Sequence, residues 1–180
     1  KIPKTLKSWD GAMAYCRLLK NIEIADGLTE IAVEAFDHCQ SLESVTLLDS
    51  IKRIEREAFN YCEELKEVIV GENSNIEFVG NRAFAYTKIT NADFAQRAEL
   101  GNGAFRKTMV TSFAFTKNQK IIPGYLFTDC KNLSEISFED GVITIGPGAF
   151  ENTAVKNVVM PDSIVDFGGS TFEDCKELET

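Results

Sequence analysis

Apolar residues two apart, with a variable residue between them, recur down the chain as Ile22/Ile24, Val45/Leu47, Val68/Val70, Phe113/Phe115, Ile136/Phe138 and Val158/Met160. Ala92/Phe94 is the degenerate member of this series. A period of two predicts short strands with one buried face. Turn residues follow these segments, among them Asp26-Gly27, Gly71, Asp140-Gly141 and Pro161-Asp162. A second apolar pair then leads onward, as Leu28/Ile31, Ile51/Ile54, Ile76/Val79, Val142/Ile145 and Ile164/Phe167. Each unit closes on an Ala-Phe pair whose surroundings suit a single helical or 3₁₀ turn and nothing longer.

The Ala-Phe pairs set the register. They are Ala12-Met13, Ala35-Phe36, Ala58-Phe59, Ala83-Phe84, Ala104-Phe105, Leu126-Phe127, Ala149-Phe150 and Thr171-Phe172. Their second members stand 23, 23, 25, 21, 22, 23 and 22 residues apart. Three residues further on come Cys16, Cys39, Cys62, Thr87, Thr108, Cys130, Thr153 and Cys175, so every cysteine occupies one slot. Cys copies continue to Leu19, Leu42, Leu65, Leu133 and Leu178, whereas Thr copies run one residue shorter to Ile89, Val110 and Val155. Two turn geometries are therefore expected at this corner.

A unit of this size cannot bury its own apolar side, and stacking lets each copy cover the next. The prediction is a β-rich solenoid of about eight stacked repeats of 21–25 residues, a right- or left-handed coil with short parallel strands and a short helical or 3₁₀ turn in each. At about 4.8 Å between coils the rod would be about 38 Å long. Residues 1–180 read as a single repeat domain, and the absence of recognisable caps suggests a stretch of a longer chain. The thirteen Phe against one Trp and four Tyr then become a phenylalanine column through the core.

Composition narrows the function. Twenty-eight acids against 19 bases, net charge −9, argue against sequence-independent nucleic-acid binding, which needs a basic footprint. No apolar run approaches the ~20 residues of a membrane span, and the N-terminus shows no signal-peptide pattern. A single histidine leaves little for general-base or metal chemistry.

The pattern A-F-x-x-C-x-x-L-x-x-V-x-L followed by I-x-x-I resembles the BspA-like leucine-rich repeats, and the Thr-x-Ile/Val variant resembles that family's alternative form. The resemblance covers nearly the whole chain. It implies a leucine-rich-repeat solenoid and an extracellular or cell-surface location. It also implies a non-catalytic role in adhesion, with protein or glycan partners on host matrix or cells. Two departures stand out: Arg97 replaces an apolar return residue, and about two extra residues lie near Gly71–Asn75. Both read as drift, since insertions in solenoid loops cost little.

No C-x-x-C occurs, and Cys and Thr exchange as similar-sized groups that can donate to a turn carbonyl; buried, reduced thiols are expected in place of a metal or redox site. Acidic residues such as Glu63, Glu64, Glu72, Glu139 and Asp140 lack calcium-loop spacing, and Gly101–Gly103 and Gly146–Gly148 read as turns. No catalytic residue, metal or cofactor is expected.

Two variable columns remain as candidate partner-binding sites. One is aromatic, at Tyr15, His38, Tyr61 and Tyr86, continuing as Lys107, Asp129, Asn152 and Asp174. The other is the outward strand face at Glu23, Thr46, Ile69 and Asp93. The aromatic column is a wet packing rim or a contact stripe for sugar or peptide. The competing functions are a binding module and a structural spacer with no binding of its own. An enzyme lacks any acid/base or nucleophile constellation.

Overall fold

The computed structural model describes residues 2, 3, 5, 6 and 9–180 and shows a parallel β-solenoid with almost no helix. One series of strands comes from the alternating segments: β1 (Asn21–Glu23), β3 (Ser44–Leu47), β5 (Glu67–Val70), β8 (Ser112–Phe115) and β10 (Glu135–Phe138). The return segments supply β2 (Glu30–Ile31), β4 (Arg53–Ile54), β6 (Phe78–Val79), β7 (Glu99–Leu100), β9 (Ile121–Ile122), β11 (Thr144–Ile145) and β12 (Asp166–Phe167). All ladders are parallel, because each strand pairs with its equivalent one coil away. The first series forms the sheets β1-β3-β5 and β8-β10; the second forms β2-β4-β6-β7 and β9-β11-β12.

A third ladder runs through the Ala-Phe turns. The Phe36 N–H donates to the Ala58 carbonyl, Phe59 to Ala83, Phe84 to Ala104 and Phe105 to Leu126, at 2.8–3.1 Å. The coil is thus hydrogen-bonded to its neighbours on three sides. Register aligns like with like: Val45 faces Ile22 and Val68, and Ile54 faces Ile31 and Val79.

The expected phenylalanine column is present. Phe36, Phe59, Phe84, Phe105, Phe127 and Phe150 are each 0 % exposed. Their rings stack within 14° of parallel at successive centroid distances of 5.3, 5.2, 5.8, 5.5 and 6.2 Å. Trp9 closes one end edge-on at 5.7 Å and Phe172 adds a ring at the other at 5.2 Å. One continuous cluster of buried apolar residues extends from Ile2 to Val155.

Several expectations need correction. The winding makes about six turns, not eight. Its outermost coils are incomplete: Phe167 is 46 % exposed, and Ala12 is exposed where Ala35 and Ala58 are buried. Ala92–Phe94 forms no strand; a 3₁₀ turn, Asp93–Ala95, stands there. Asn91 causes this, accepting from the Asp93 N–H at 2.6 Å and donating to its carboxylate at 2.8 Å. Short polar side chains that satisfy backbone locally compete with a ladder. Val158–Met160 forms no strand either; the Val158 N–H reaches Thr180, and Pro161 carries no donor.

The departure at Arg97 has a neighbour that sequence reading missed. Arg97 is exposed, and Ala95 and Ala98 are buried close by. Gln119, buried at the equivalent slot of the next coil, donates to both of their carbonyls at 3.4 and 3.2 Å. Its oxygen accepts from the Thr116 N–H at 3.2 Å. An amide in the core is tolerated because its hydrogen-bonding groups find partners there.

Candidate functional site

Each coil carries two residues in the left-handed region, one just before the Ala-Phe pair and one two residues after the Phe. The second slot holds Tyr15, His38, Tyr61, Tyr86, Lys107, Asp129, Asn152 and Asp174, with φ between 54° and 65°. No β-branched residue occupies either slot, as steric crowding at positive φ requires. This backbone demand repeats along the whole stack. It aims the side chains of successive coils the same way.

In the first four coils those side chains are rings, and they stack. Tyr15 lies 4.7 Å from His38, His38 4.6 Å from Tyr61, and Tyr61 4.2 Å from Tyr86, with interplanar angles of 13°, 22° and 14°. The Lys107 ammonium covers the last ring at 5.1 Å. Tyr15 is 58 % exposed and the other three are half-buried. The inner ring faces are therefore occupied by one another, and beyond the outer face of Tyr15 the column offers edges and hydroxyls to solvent. A hydrogen bond with the Tyr86 side chain raises the Tyr61 pKa above the ordinary phenol value, with burial adding to it.

A polar tie lies beneath the rings. His38 Nδ1 sits 2.8 Å from the buried Asp37 carboxylate, which fixes that nitrogen as the protonated one, since a carboxylate only accepts. Asn60 Nδ2 donates to the other oxygen of Asp37 at 3.0 Å. These bonds lock the His38 ring between its two tyrosines.

The second candidate column divides. Glu23, Thr46 and Ile69 are in register across β1, β3 and β5 and all face solvent. Asp93 does not continue them, because it belongs to the 3₁₀ turn. The structure brings together the four aromatic candidates and three of the four strand-face candidates.

The cysteine slot explains the two turn forms. Thr87, Thr108 and Thr153 each donate to the Phe carbonyl of their own coil at 2.9 Å. Cys39, Cys62, Cys130 and Cys175 instead reach back one coil, to the carbonyls of Met13, Phe36, Phe105 and Phe150, at 3.0–3.1 Å. The exchange is one slot with two acceptors, which sequence spacing could not separate. Expected burial of every thiol needs two corrections, one at each end of the stack: Cys16 is exposed and Cys175 is only half-buried.

Burial pushes the thiols of Cys39 and Cys130 up to about 11, and that of Cys62 higher still. The thiolate is the nucleophile, so alkylation without denaturant will modify Cys16 rapidly and leave Cys39, Cys62 and Cys130 intact by peptide mass mapping. The folded state holds these protons more tightly than the unfolded chain. Their stabilisation is therefore complete below the ordinary thiol pKa of 9.0 and is lost as pH rises towards about 11. Melting temperature should fall across that window, and less so when Cys39 and Cys130 are replaced by Ala.

A parallel solenoid with short strands, Leu and Ile core columns and a Phe ladder defines the class as a leucine-rich-repeat scaffold. The chain belongs to the BspA type leucine rich repeat family, whose model matches residues 1–106 and 98–180 in 6 copies. None of the curated proteins matches. Among solved structures it is similar to a leucine rich cell surface protein from Faecalibacterium prausnitzii, with 22 % identity over 89 % of this chain and 46 % of that one, and a TM-score of 0.79. A leucine-rich repeat protein from Bacteroides ovatus gives 24 % identity, 91 % and 55 % coverage, and a TM-score of 0.66. The leucine rich repeat protein of T. pallidum gives 24 %, 93 % and 78 %, and 0.74. These likenesses establish the fold. The chain spans about half the length of the first two relatives.

Proposed function

We propose that this chain is a non-catalytic binding module of a secreted or cell-surface protein, a single repeat domain that engages a protein partner along the Tyr15–His38–Tyr61–Tyr86 column. The observation that carries the reading is the stacking itself. Rings 4.2–4.7 Å apart leave no gap for a sugar ring between them. What remains exposed is a row of edges and hydroxyls, pre-ordered by the backbone and by Asp37 and Asn60. Rigid tyrosines give contact area at low entropic cost and a polar tip for hydrogen bonding, which suits a protein surface. Glu23, Thr46 and Ile69 form a second contact row on the strand face. The surface location is supported by family membership and by the relative from Faecalibacterium prausnitzii, a cell surface protein.

The test is binding to immobilised extracellular-matrix proteins by the wild type and by the Tyr61→Phe/Tyr86→Phe double variant. Phenylalanines keep the stack and remove only the hydroxyls. Affinity should fall about tenfold, the loss of two neutral hydrogen bonds to the partner, and stability by no more than the about 1 kcal/mol of the Tyr61–Tyr86 hydrogen bond. The Tyr61→Ser/Tyr86→Ser variant will bind weakly as well, but it also melts lower, because each lost ring pair contributes about 0.5–1.5 kcal/mol. Unchanged affinity in the Phe variant removes the hydroxyl contacts from this reading. No binding by the wild type to any matrix protein favours the alternative, a spacer that projects other domains.

A further inference from the structure

The strand series breaks at the fourth coil, and a hollow opens on the outward strand face there. The 3₁₀ turn Asp93–Ala95 stands where a strand would lie between β5 and β8, and β8 keeps only β10 as a partner. Between this turn and the following coils lies an open cavity of about 620 Å³. Its floor is the outward face of β8 and β10, where Ser112 is in register with Glu135 and Ala114 with Ser137. Asp93 and Gln96 form one wall, and Lys156 and Asn157 border it on the other coils.

The lining has a definite chemistry. Gln96 Nε2 donates to Asp93 Oδ1 at 2.7 Å and Asn91 Nδ2 to Oδ2 at 2.8 Å, so the carboxylate is held by a contact on each oxygen. A carboxylate offers about four lone-pair positions, which leaves each oxygen able to accept once more. The hydroxyls of Ser112, Ser134 and Ser137 make no protein hydrogen bond among the described residues. Asn157 Oδ1 accepts from the Thr180 hydroxyl at 2.7 Å, and no protein acceptor among the described residues takes its amide hydrogens. Lys156 is paired with Glu177 at 3.4 Å. The hollow thus presents interleaved donors and acceptors, two carboxylates from Asp93 and Glu135, and a cation already neutralised. Ala114 and Ser137 are small, which leaves depth, and Phe113 and Ile136 add apolar surface between the polar groups.

We infer that this hollow is a binding site for a neutral, multiply hydroxylated ligand of the size of one or two sugar units. Hydroxyl groups both donate and accept, so they match a mixed lining that neither an anion nor an apolar partner would match. Asp93 accepts from adjacent ligand hydroxyls, the serines exchange hydrogen bonds with others, and the Asn157 amide donates. Charge-assisted bonds to the fixed carboxylate supply the largest share of the affinity. The volume lies within the range of small-ligand sites. The site stands apart from the aromatic column, and either can fail without the other.

The experiment is an amide chemical-shift titration of the wild-type chain with lactose, maltose and chitobiose, with sialyllactose as the anionic probe and spermidine as the cationic one. At least one neutral disaccharide should shift the amides of Asp93, Gln96, Ser112, Ala114 and Ser137 saturably in the millimolar range. Asp93→Asn, which keeps the shape and removes the charge, should weaken that binding about tenfold. Ser137→Leu, which fills the floor from an exposed position, should abolish it while the remaining spectrum is preserved. The proposal is overturned if no neutral disaccharide shifts these amides up to tens of millimolar. It is overturned equally if shifts fall elsewhere, if only sialyllactose or spermidine produces them, or if Asp93→Asn binds as well as the wild type.

Discussion

Phe59→Ala will lower the stability of the folded chain by about 3–5 kcal/mol, the usual cost of removing a large core ring. Phe59 is 0 % exposed and is sandwiched between Phe36 at 5.3 Å and Phe84 at 5.2 Å. Its neighbours cannot close the gap, because three ladders of backbone hydrogen bonds set the spacing between their coils. At about 2–4 °C per kcal/mol for a chain of this length, the melting temperature should fall by about 6–20 °C. Phe172→Ala is the internal comparison: that ring is half-buried and stacks on Phe150 alone, so its loss should cost roughly half as much. Phe59→Leu, which refills most of the space, should cost under about 1.5 kcal/mol. Urea denaturation of the three variants measures all of this, and equal losses at positions 59 and 172 would refute the column as the principal source of stability.

Gly80→Ala should destabilise by about 1–3 kcal/mol although it adds a single methyl. Gly80 follows Val79 directly, and its N–H donates to the Ile54 carbonyl of the preceding coil at 2.8 Å. A Cβ there would lie 2.6 Å from the Arg56 nitrogen and 2.7 Å from the Glu55 carbonyl carbon. Both obstacles are backbone, so neither can rotate away. Relief requires prising two coils apart and loosening the β4–β6 pairing. Gly169→Ala is the control: its Cβ would meet nothing within 4 Å, and the change should lie within about 0.5 kcal/mol of neutral. If Gly80→Ala melts with the wild type, the close approach of the coils at this edge is wrong.

Much of the fold was readable from spacing because a solenoid maps sequence period directly onto space. The common register of Phe36, Phe59 and Phe84 was enough to place them in one column, and the Cys/Thr alternation announced two corner geometries. The misreadings lie where local chemistry overrides the period. Asn91 uses its side chain to accept from the Asp93 N–H and to donate to the Asp93 carboxylate, which turns a degenerate strand into a 3₁₀ turn. Gln119 gave no signal in the sequence, and only the carbonyls of Ala95 and Ala98 beside it reveal its task.

The candidate site was half legible. The recurrence of Tyr15, His38, Tyr61 and Tyr86 was plain, but their stacking was not, because it follows from a left-handed backbone slot. The signal was present in the avoidance of β-branched residues there and in the turn to Lys, Asp and Asn in later coils. Asp37 beneath His38 was likewise invisible, since its partner Asn60 stands 23 residues away.

Hydroxyl-radical footprinting of the chain bound to an extracellular-matrix protein tests the central claim most directly, because it reads the aromatic side chains themselves. Tyr125 serves as the reference, being 48 % exposed and also at positive φ, but in the other left-handed slot and in a later coil. A partner seated on the column should suppress oxidation of Tyr15, His38, Tyr61 and Tyr86 together and leave Tyr125 unchanged. Protection of Tyr125 with the four column residues still fully oxidised would contradict the account.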